Sequence, residues 1–430
     1  MQSAILGIMF ASFIAYILTF TSAYTLNFRV PVHVEIVLPV IRVALLFLAC
    51  VYLFMARDEL SQCLDPFAIC VAAILILGAV SGLAYDKSWF DYFRQGFQYA
   101  FLLAFYLIGR DLGSRVIPPV AMTAVSIAIL FGYATAATIY MVTPGLQSGS
   151  YSYQPNLALL PVAWGVAFSQ WSMPLIGSAL IVIGNKRAVY LGLSILLATG
   201  VALWLEQRRG RSLFLRFGAI AILAPAISFL LAGAISQLTS TMALPEIATA
   251  VVDRFSVRPT FNGSSAATAA PGQEARIDSV VRLTGARSVE VAALWDMIRN
   301  DPSEAFFGHG LGNKFTVRYI SPNDYQPVQF ERDQADLAPV HIAMTSGVPL
   351  AAAFTILFGG MLLMALVRID AGDSADRALT LFVIASGLDI LVGFNPTNPV
   401  CWLAFGMVSR RKLPEFSFVR PDGRQRSFTP

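Results

Sequence analysis

Residues 66–85 read PFAICVAAILILGAVSGLAY, a run of 20 residues without one charged side chain. A helix rises about 1.5 Å per residue, so a run of that length spans the roughly 30 Å hydrocarbon core of a bilayer. Similar runs recur on both sides of it. Candidate helices, with ends placed to about four residues, cover 3–24, 36–56, 66–85, 91–109, 116–142, 155–170, 172–185, 188–206, 213–236, 342–367, 377–394 and 397–410. The stretches 172–185 and 397–410 are short, and the second opens on prolines. Both read as half-spans, which are tolerated where backbone is buried in protein or lines a cavity.

Composition agrees with that pattern. The 430 residues are 56% hydrophobic and only 13% charged, with a mean hydropathy of +0.65. Ordinary soluble chains are roughly a quarter charged, so a soluble domain of this size could not hide this much apolar surface. The four cysteines are Cys50, Cys63, Cys70 and Cys401. None falls in the long polar segment, so no disulfide framework is expected, and no CxxC or histidine-rich pattern indicates a metal. The net charge of +4 sits mostly in short loops and the tail, which reads as topology and not as nucleic-acid affinity. The apolar stretch from Ala4 to Leu18 has no basic flank and no small-residue cleavage site, and is expected to be a retained first span.

The expected fold is therefore an all-α integral membrane protein with about twelve transmembrane helices. Residues 1–236 hold the first nine helices and 342–410 the last three, while 237–341 form one large, mostly helical external loop and 411–430 a cytoplasmic tail. Orientation follows from basic residues. Arg110 and Arg115, then Arg208, Arg209 and Arg211, then Arg410, Arg411 and Lys412 all fall on one side, with both termini. That side is expected to be cytoplasmic. The outer segment carries nine basic and twelve acidic residues, hence a net of −3. Within it, 260–273 (TFNGSSAATAAPGQ) is small and polar like a linker. Residues 279–300 read as a helix, with Val289, Ala292, Ala293 and Met297 at helical spacing and Trp295 beside them. Asp301-Pro302 ends that helix. No internal repeat is visible.

Three places break the apolar pattern with residues that carry chemistry. Lys186 and Arg187, in GNKRA, put two adjacent cations at the outer membrane boundary, where they could meet lipid phosphates or simply snorkel to headgroups. Arg282 and Arg287 stand ahead of Trp295, and the turn Gly308-His309-Gly310-Leu311-Gly312 follows. Arginine forks match phosphate oxygens, and glycines allow backbone N–H groups to approach an anion. The plain alternative is a solvated helix and a tight turn, and GxGxG alone lacks the lysine of a P-loop. His341, one of three histidines, lies where the chain re-enters the membrane and is suited to take a proton near neutral pH, or to make a structural hydrogen bond. Arg42, Arg94 and Asp389 lie in or near spans, where such residues mark ion pairs or polar cavities.

Taken in order, these features resemble the bacterial superfamily of O-antigen ligases and O-antigen or exopolysaccharide polymerases. The likeness is one of topology over most of the chain, with local motifs at about 184–190, 282–313 and 339–350. It implies a glycosyltransferase of the C type (GT-C) in the bacterial inner membrane, with its active site facing the periplasm. The donor would be an oligosaccharide on undecaprenyl diphosphate, and the acceptor glycan would supply a hydroxyl. No cofactor or metal is implied, and a chain-length regulator is a possible partner. Carried over by residue, Arg187 and Arg287 would hold the diphosphate, with Lys186 in support. His341 would orient or deprotonate the acceptor. Arg282, Trp295, Gly308, His309 and Gly310 would border the substrate. Ile342 stands where ligases usually have asparagine, and Lys186 where the turn is often serine, departures that favour a polymerase over a ligase. A twelve-span transporter or flippase is the reading from another class, although transporters are usually built from repeats. A non-catalytic scaffold for glycan assembly is a third.

Overall fold

The uncharged run is a helix, and its neighbours along the chain are mostly helices too. The computed structural model describes residues 2–26, 33–57, 63–84, 88–113, 119–142, 155–168, 170–184, 187–209, 216–228, 286–312, 314–320, 327–332, 334–369 and 373–410. In chain order these form α1 (Gln2–Leu26), α2 (His33–Met55), α3 (Pro66–Ala84), α4 (Trp89–Gly113) and α5 (Pro119–Val142). A 3-10 turn (Pro155–Ala158) leads into α6 (Leu159–Phe168), followed by α7 (Ser172–Gly184), α8 (Arg187–Arg209) and α9 (Arg216–Ser228). Then come α10 (Ala286–Asn300), α11 (Pro302–Phe307), β1 (Phe315–Ile320), β2 (Pro327–Arg332), α12 (Ala338–Ser346), α13 (Val348–Arg368), α14 (Ser374–Val392) and α15 (Pro399–Ser409).

Among the described residues, five helices are long and apolar enough to cross a membrane. They lie at Val37–Met55 in α2, Pro66–Ala84, Val120–Thr138 in α5, Val189–Glu206 in α8 and Val348–Arg368. Helix α4 is as long but carries Asp91, Arg94, Arg110 and Asp111, and α14 carries Asp376, Arg377 and Asp389. Shorter apolar helices include α6, α7, α9 and α15. Phe54, Ile76 and Ile356 remain 70%, 62% and 73% exposed, a surface that water penalises and lipid does not. The protein is a helical membrane protein.

Small residues let the helices close on one another, as is common where packing and not water drives association. A Cβ on Gly113 of α4 would lie 2.6 Å from the carbonyl oxygen of Met407 on α15, and Gly109 meets the Leu403 carbonyl in the same way. From α15, Gly406 answers by seating against the Tyr106 carbonyl. Aromatic rings fill the space between α3, α13 and α15, with Phe67 and Phe354 at 5.3 Å and Phe358 and Phe405 at 4.9 Å.

The structure adds detail to the sequence reading and changes it at one helix start. The segment 237–341, expected to be mostly helical, also holds strands, because FTVRYI and PVQFER form an antiparallel hairpin running from Phe315↔Arg332 to Ile320↔Pro327. Their β-branched and aromatic residues carry that preference. The helix expected from 342 begins at Ala338 and is interrupted at Gly347, so His341 sits in a short helix of its own. Of the helix expected over 279–300, Ala286–Asn300 is helical, while 279–285 and the linker 260–273 lie outside the described residues.

Candidate functional site

Helix α12 begins where it does because of a residue far away in sequence. Pro339 in its first turn needs no amide partner. Leu337, at the N-cap, has no side chain able to cap. Glu290 of α10 does that work instead. Its buried carboxylate accepts the Asp336 N–H through both oxygens at 3.0 Å, and the Leu337 N–H at 3.3 Å. A carboxylate at a helix N-terminus also meets the positive end of the macrodipole. Below it, Met297 of α10 packs with Ala305, Val340 and Met344.

His341 follows within the first turn of α12. It is 1% exposed. Its ring lies between Tyr99 of α4, nearly parallel at 6.0 Å, and Phe394, at 5.3 Å. Its Nδ1 accepts the Ala335 N–H at 3.3 Å, so the neutral ring carries its proton on Nε2. That buried Nε2 has no partner among the described residues. Burial away from any compensating carboxylate pushes the imidazole pKa down to about 4. The sequence alone left open a group that takes a proton near neutral pH and one that makes a structural hydrogen bond. The geometry makes it a neutral hydrogen-bond donor, because the nitrogen that could accept a proton is already occupied by a backbone amide.

The glycine-rich turn docks the segment after α11 onto the bundle. Gly308, Gly310 and Gly312 all have positive φ, at 74°, 83° and 80°. The His309 and Gly310 amides donate to the Met344 and Thr345 carbonyls at 2.7 and 3.0 Å. Leu311 N–H reaches the Gly78 carbonyl at 2.7 Å, and Gly312 N–H reaches Gln95 Oε1 at 2.9 Å. Leu311 is buried over Gly78 and Gly82 of α3. The Gly308 amide is likewise used, donating to the Glu304 carbonyl at 2.7 Å, so Gly308 and Gly310 do not present free amides as a nest for an anion. His309 is partly exposed, its Nε2 3.5 Å from Glu304 Oε2. Asp301 caps α11 through the Ser303 and Glu304 amides, and the Ser303 hydroxyl helps hold its carboxyl below its ordinary range.

The loop between α14 and α15 completes the neighbourhood, and sequence reasoning passed over most of it. Phe394 N–H donates to the Asp336 carbonyl at 2.9 Å. Trp402 Nε1 donates to the Asn395 carbonyl at 3.2 Å, and the Tyr16 hydroxyl to the Thr397 carbonyl at 3.3 Å. Asn398 caps α15 through the Val400 and Cys401 amides. One turn before the loop, Asp389 Oδ2 accepts from Asn156 Nδ2 at 3.3 Å, and Asn156 Oδ1 accepts from the Tyr133 hydroxyl at 3.4 Å. The polar run Asn395-Pro396-Thr397-Asn398 among apolar residues was the available signal. Arg42 faces the Tyr16 ring at 6.0 Å and has no carboxylate partner among the described residues, while Arg94 pairs with Asp91 at 2.9 Å.

Helices α8 and α10 bring the backbone of Arg187 and Arg287 to the same end of the bundle. Arg187 opens α8, and Gly192 one turn further on packs against the Ala385 carbonyl of α14. At the far end of α8, Glu206 binds Arg216, which donates to the Leu366 carbonyl near the end of α13 and so near the start of α14. Helices α8 and α14 are thus antiparallel, and Arg187 stands at the Asp389 end. Arg287 lies in the first turn of α10, one turn before Glu290. The side chains of Arg187 and Arg287 lie outside the described residues, as do Lys186 and Arg282 altogether. Trp295 is 64% exposed on α10 and takes no part in the contacts with α12 given above. The opposite end holds Arg110, paired with Asp65, and Arg410.

Fold and site together define a helical membrane protein with a buried histidine where α10, α11 and the glycine-rich turn meet the bundle. No family model, curated protein or solved structure matches the chain.

Proposed function

We propose that the protein transfers a glycan from undecaprenyl diphosphate to a sugar hydroxyl at the outer face of the bacterial inner membrane, polymerising O-antigen or exopolysaccharide repeat units. The reading takes the twelve helices as spans, with 237–341 external and a GT-C-like arrangement. The observation that carries it is Glu290. This one carboxylate joins α10, whose first turn holds Arg287, to α12, which holds His341. Two motifs far apart in sequence are thereby fastened to each other.

The chemistry follows from the charges. Departure of a lipid diphosphate builds negative charge, which fixed cations at Arg187 and Arg287 stabilise, with Lys186 and Arg282 in support. Preorganised groups of this kind are typically worth on the order of 2.7–4 kcal/mol each. In this mechanism His341 donates a hydrogen bond from Nε2 to a substrate oxygen and orients it, while the acceptor oxygen bonds to the sugar as the bond to the lipid diphosphate breaks, and its proton passes to the departing diphosphate or to solvent. No covalent enzyme intermediate is required.

The test is reconstitution in liposomes with lipid-linked repeat units, with products read by mass. A ladder of longer lipid-linked glycans is expected, and Arg187→Ala, Arg287→Ala and His341→Ala should each abolish it while expression stays normal. Chelators should have no effect. Transfer only after addition of lipid A–core would make the protein a ligase. The break between α12 and α13 at Gly347 also has the form of a discontinuous transporter helix. Ion-driven movement of an unaltered substrate would replace the enzyme reading with that one.

A further inference from the structure

The groove between α3, α13 and α15 has two kinds of wall. It encloses about 400 Å³, within the usual range of ligand pockets, roughly 300–1,000 Å³. Phe67, Met361, Met364 and Phe405 make most of its length apolar, and the methionines are unbranched and able to adapt to a flexible chain. Asp65, Arg368 and Ser409 line the end where α3 begins and α13 and α15 finish.

The charges at that end do not cancel. Asp65 is already satisfied by the ion pair with Arg110 and by the Tyr106 hydroxyl at 2.7 Å. No hydrogen bond or ion pair reaches the Arg368 guanidinium from the described chain, and its Nε is buried. A half-buried cation at the mouth of an apolar slot is costly unless an anion meets it. The larger pocket of about 480 Å³ beside α1 has no charged side chain in its wall and offers no such anchor.

We propose that this groove holds one anionic phospholipid of the surrounding bilayer, its phosphate on Arg368 and an acyl chain along Met361 and Met364. The groove shares its end of the bundle with Arg110 and Arg410, so the lipid belongs to the leaflet on the positive-inside face. The site is remote from His341 and does not depend on glycan transfer. Gly360 lines the groove, and a Cβ there would meet nothing within 4 Å, so a large side chain can occupy the slot without strain elsewhere. Gly359 is equally open but is not part of the lining.

The full chain, purified in mild detergent, would be titrated with phosphatidylglycerol or with phosphatidylcholine of the same acyl chains and observed by native mass spectrometry. The wild type should show one preferred phosphatidylglycerol. Arg368→Gln should weaken it roughly tenfold, the loss of one charge-assisted contact. Gly360→Trp should abolish the preferred lipid, and Gly359→Trp should retain it. Equal uptake of both lipids by the wild type would overturn the proposal, as would survival of the preferred lipid in Gly360→Trp.

Discussion

Glu290 accepts the backbone N–H of Asp336 through both carboxylate oxygens, at 3.0 Å each. The contact lets one helix set the start of another, and the consequence can be measured. Glu290→Ala leaves the Asp336 and Leu337 amides without their acceptor. Hydrogen bonds to a charged group are worth about 1.5–3 kcal/mol, and thermal unfolding in detergent should register a loss of that order. Glu290→Gln keeps one acceptor oxygen and should lose less. An equal loss in both variants would assign the effect to charge at the helix terminus instead of to the hydrogen bonds.

Gly310 is held at φ +83° with its α-carbon against the backbone of Gly82. Alanine there meets two obstacles. The left-handed conformation costs an L-residue about 1–2 kcal/mol, and the new methyl runs into the Gly82 amide nitrogen. Gly310→Ala should therefore undock the segment that carries the turn, seen as faster proteolysis of that segment. Gly82→Ala approaches the same interface from the other side, where its Cβ would lie 2.6 Å from the Leu311 carbonyl oxygen, and it should behave alike. Gly218→Ala is the control, since nothing lies within 4 Å of the added atom, and it should leave proteolysis unchanged.

The buried histidine links stability to pH. Its pKa is about 4 in the folded protein against an ordinary value of 6.5. Between those values the unfolded chain binds a proton that the folded chain refuses, so stability falls as pH falls from 6.5 toward 4 and is flat above 6.5. The full span is on the order of 3 kcal/mol. The groups facing the ring are Tyr99, Phe394 and the Ala335 amide, none of which titrates in that window, with the Glu290 carboxylate beyond them on the Asp336 and Leu337 amides. The midpoint of thermal unfolding should drop more between pH 7 and pH 4.5 in the wild type than in His341→Gln. Identical pH dependence in the two proteins would contradict the assignment.

The membrane helices were legible in the sequence because lipid imposes a length and an apolar composition that ordinary folds do not. The twelve apolar stretches all contain helix in the structure, the short 172–185 and 397–410 included. What was hidden lies in contacts between distant segments. Glu290 looked like one acid among twelve in the outer segment, and nothing local marks it as the cap of α12. The GxGxG turn looked able to face a ligand, but its amides go to Met344, Thr345, Gly78 and Gln95. The hairpin at Phe315–Arg332 was missed because its two strands are only six residues each and lie between helices. Asn156 meets Asp389 across more than two hundred residues, a pairing that no periodicity reports.

The role of His341 in transfer separates two kinds of histidine. A general base must accept a proton and typically contributes about 10²–10⁴-fold. With Nδ1 holding the Ala335 amide, the ring nitrogen left without a partner among the described residues is the buried Nε2–H, which donates. Glutamine can also donate from its amide but cannot act as a base near neutral pH. In the liposome assay His341→Gln should therefore keep a measurable fraction of transfer, while His341→Ala keeps none. The wild-type rate should also show no inflection between pH 6 and pH 7.5 assignable to this residue. If instead glutamine is as inactive as alanine and the wild-type rate titrates in that range, the ring takes up a proton during turnover. The Ala335 contact would then have to break in the substrate complex, and labelled-histidine NMR on the three imidazoles of this chain would show the Nδ1 resonance shift on substrate addition.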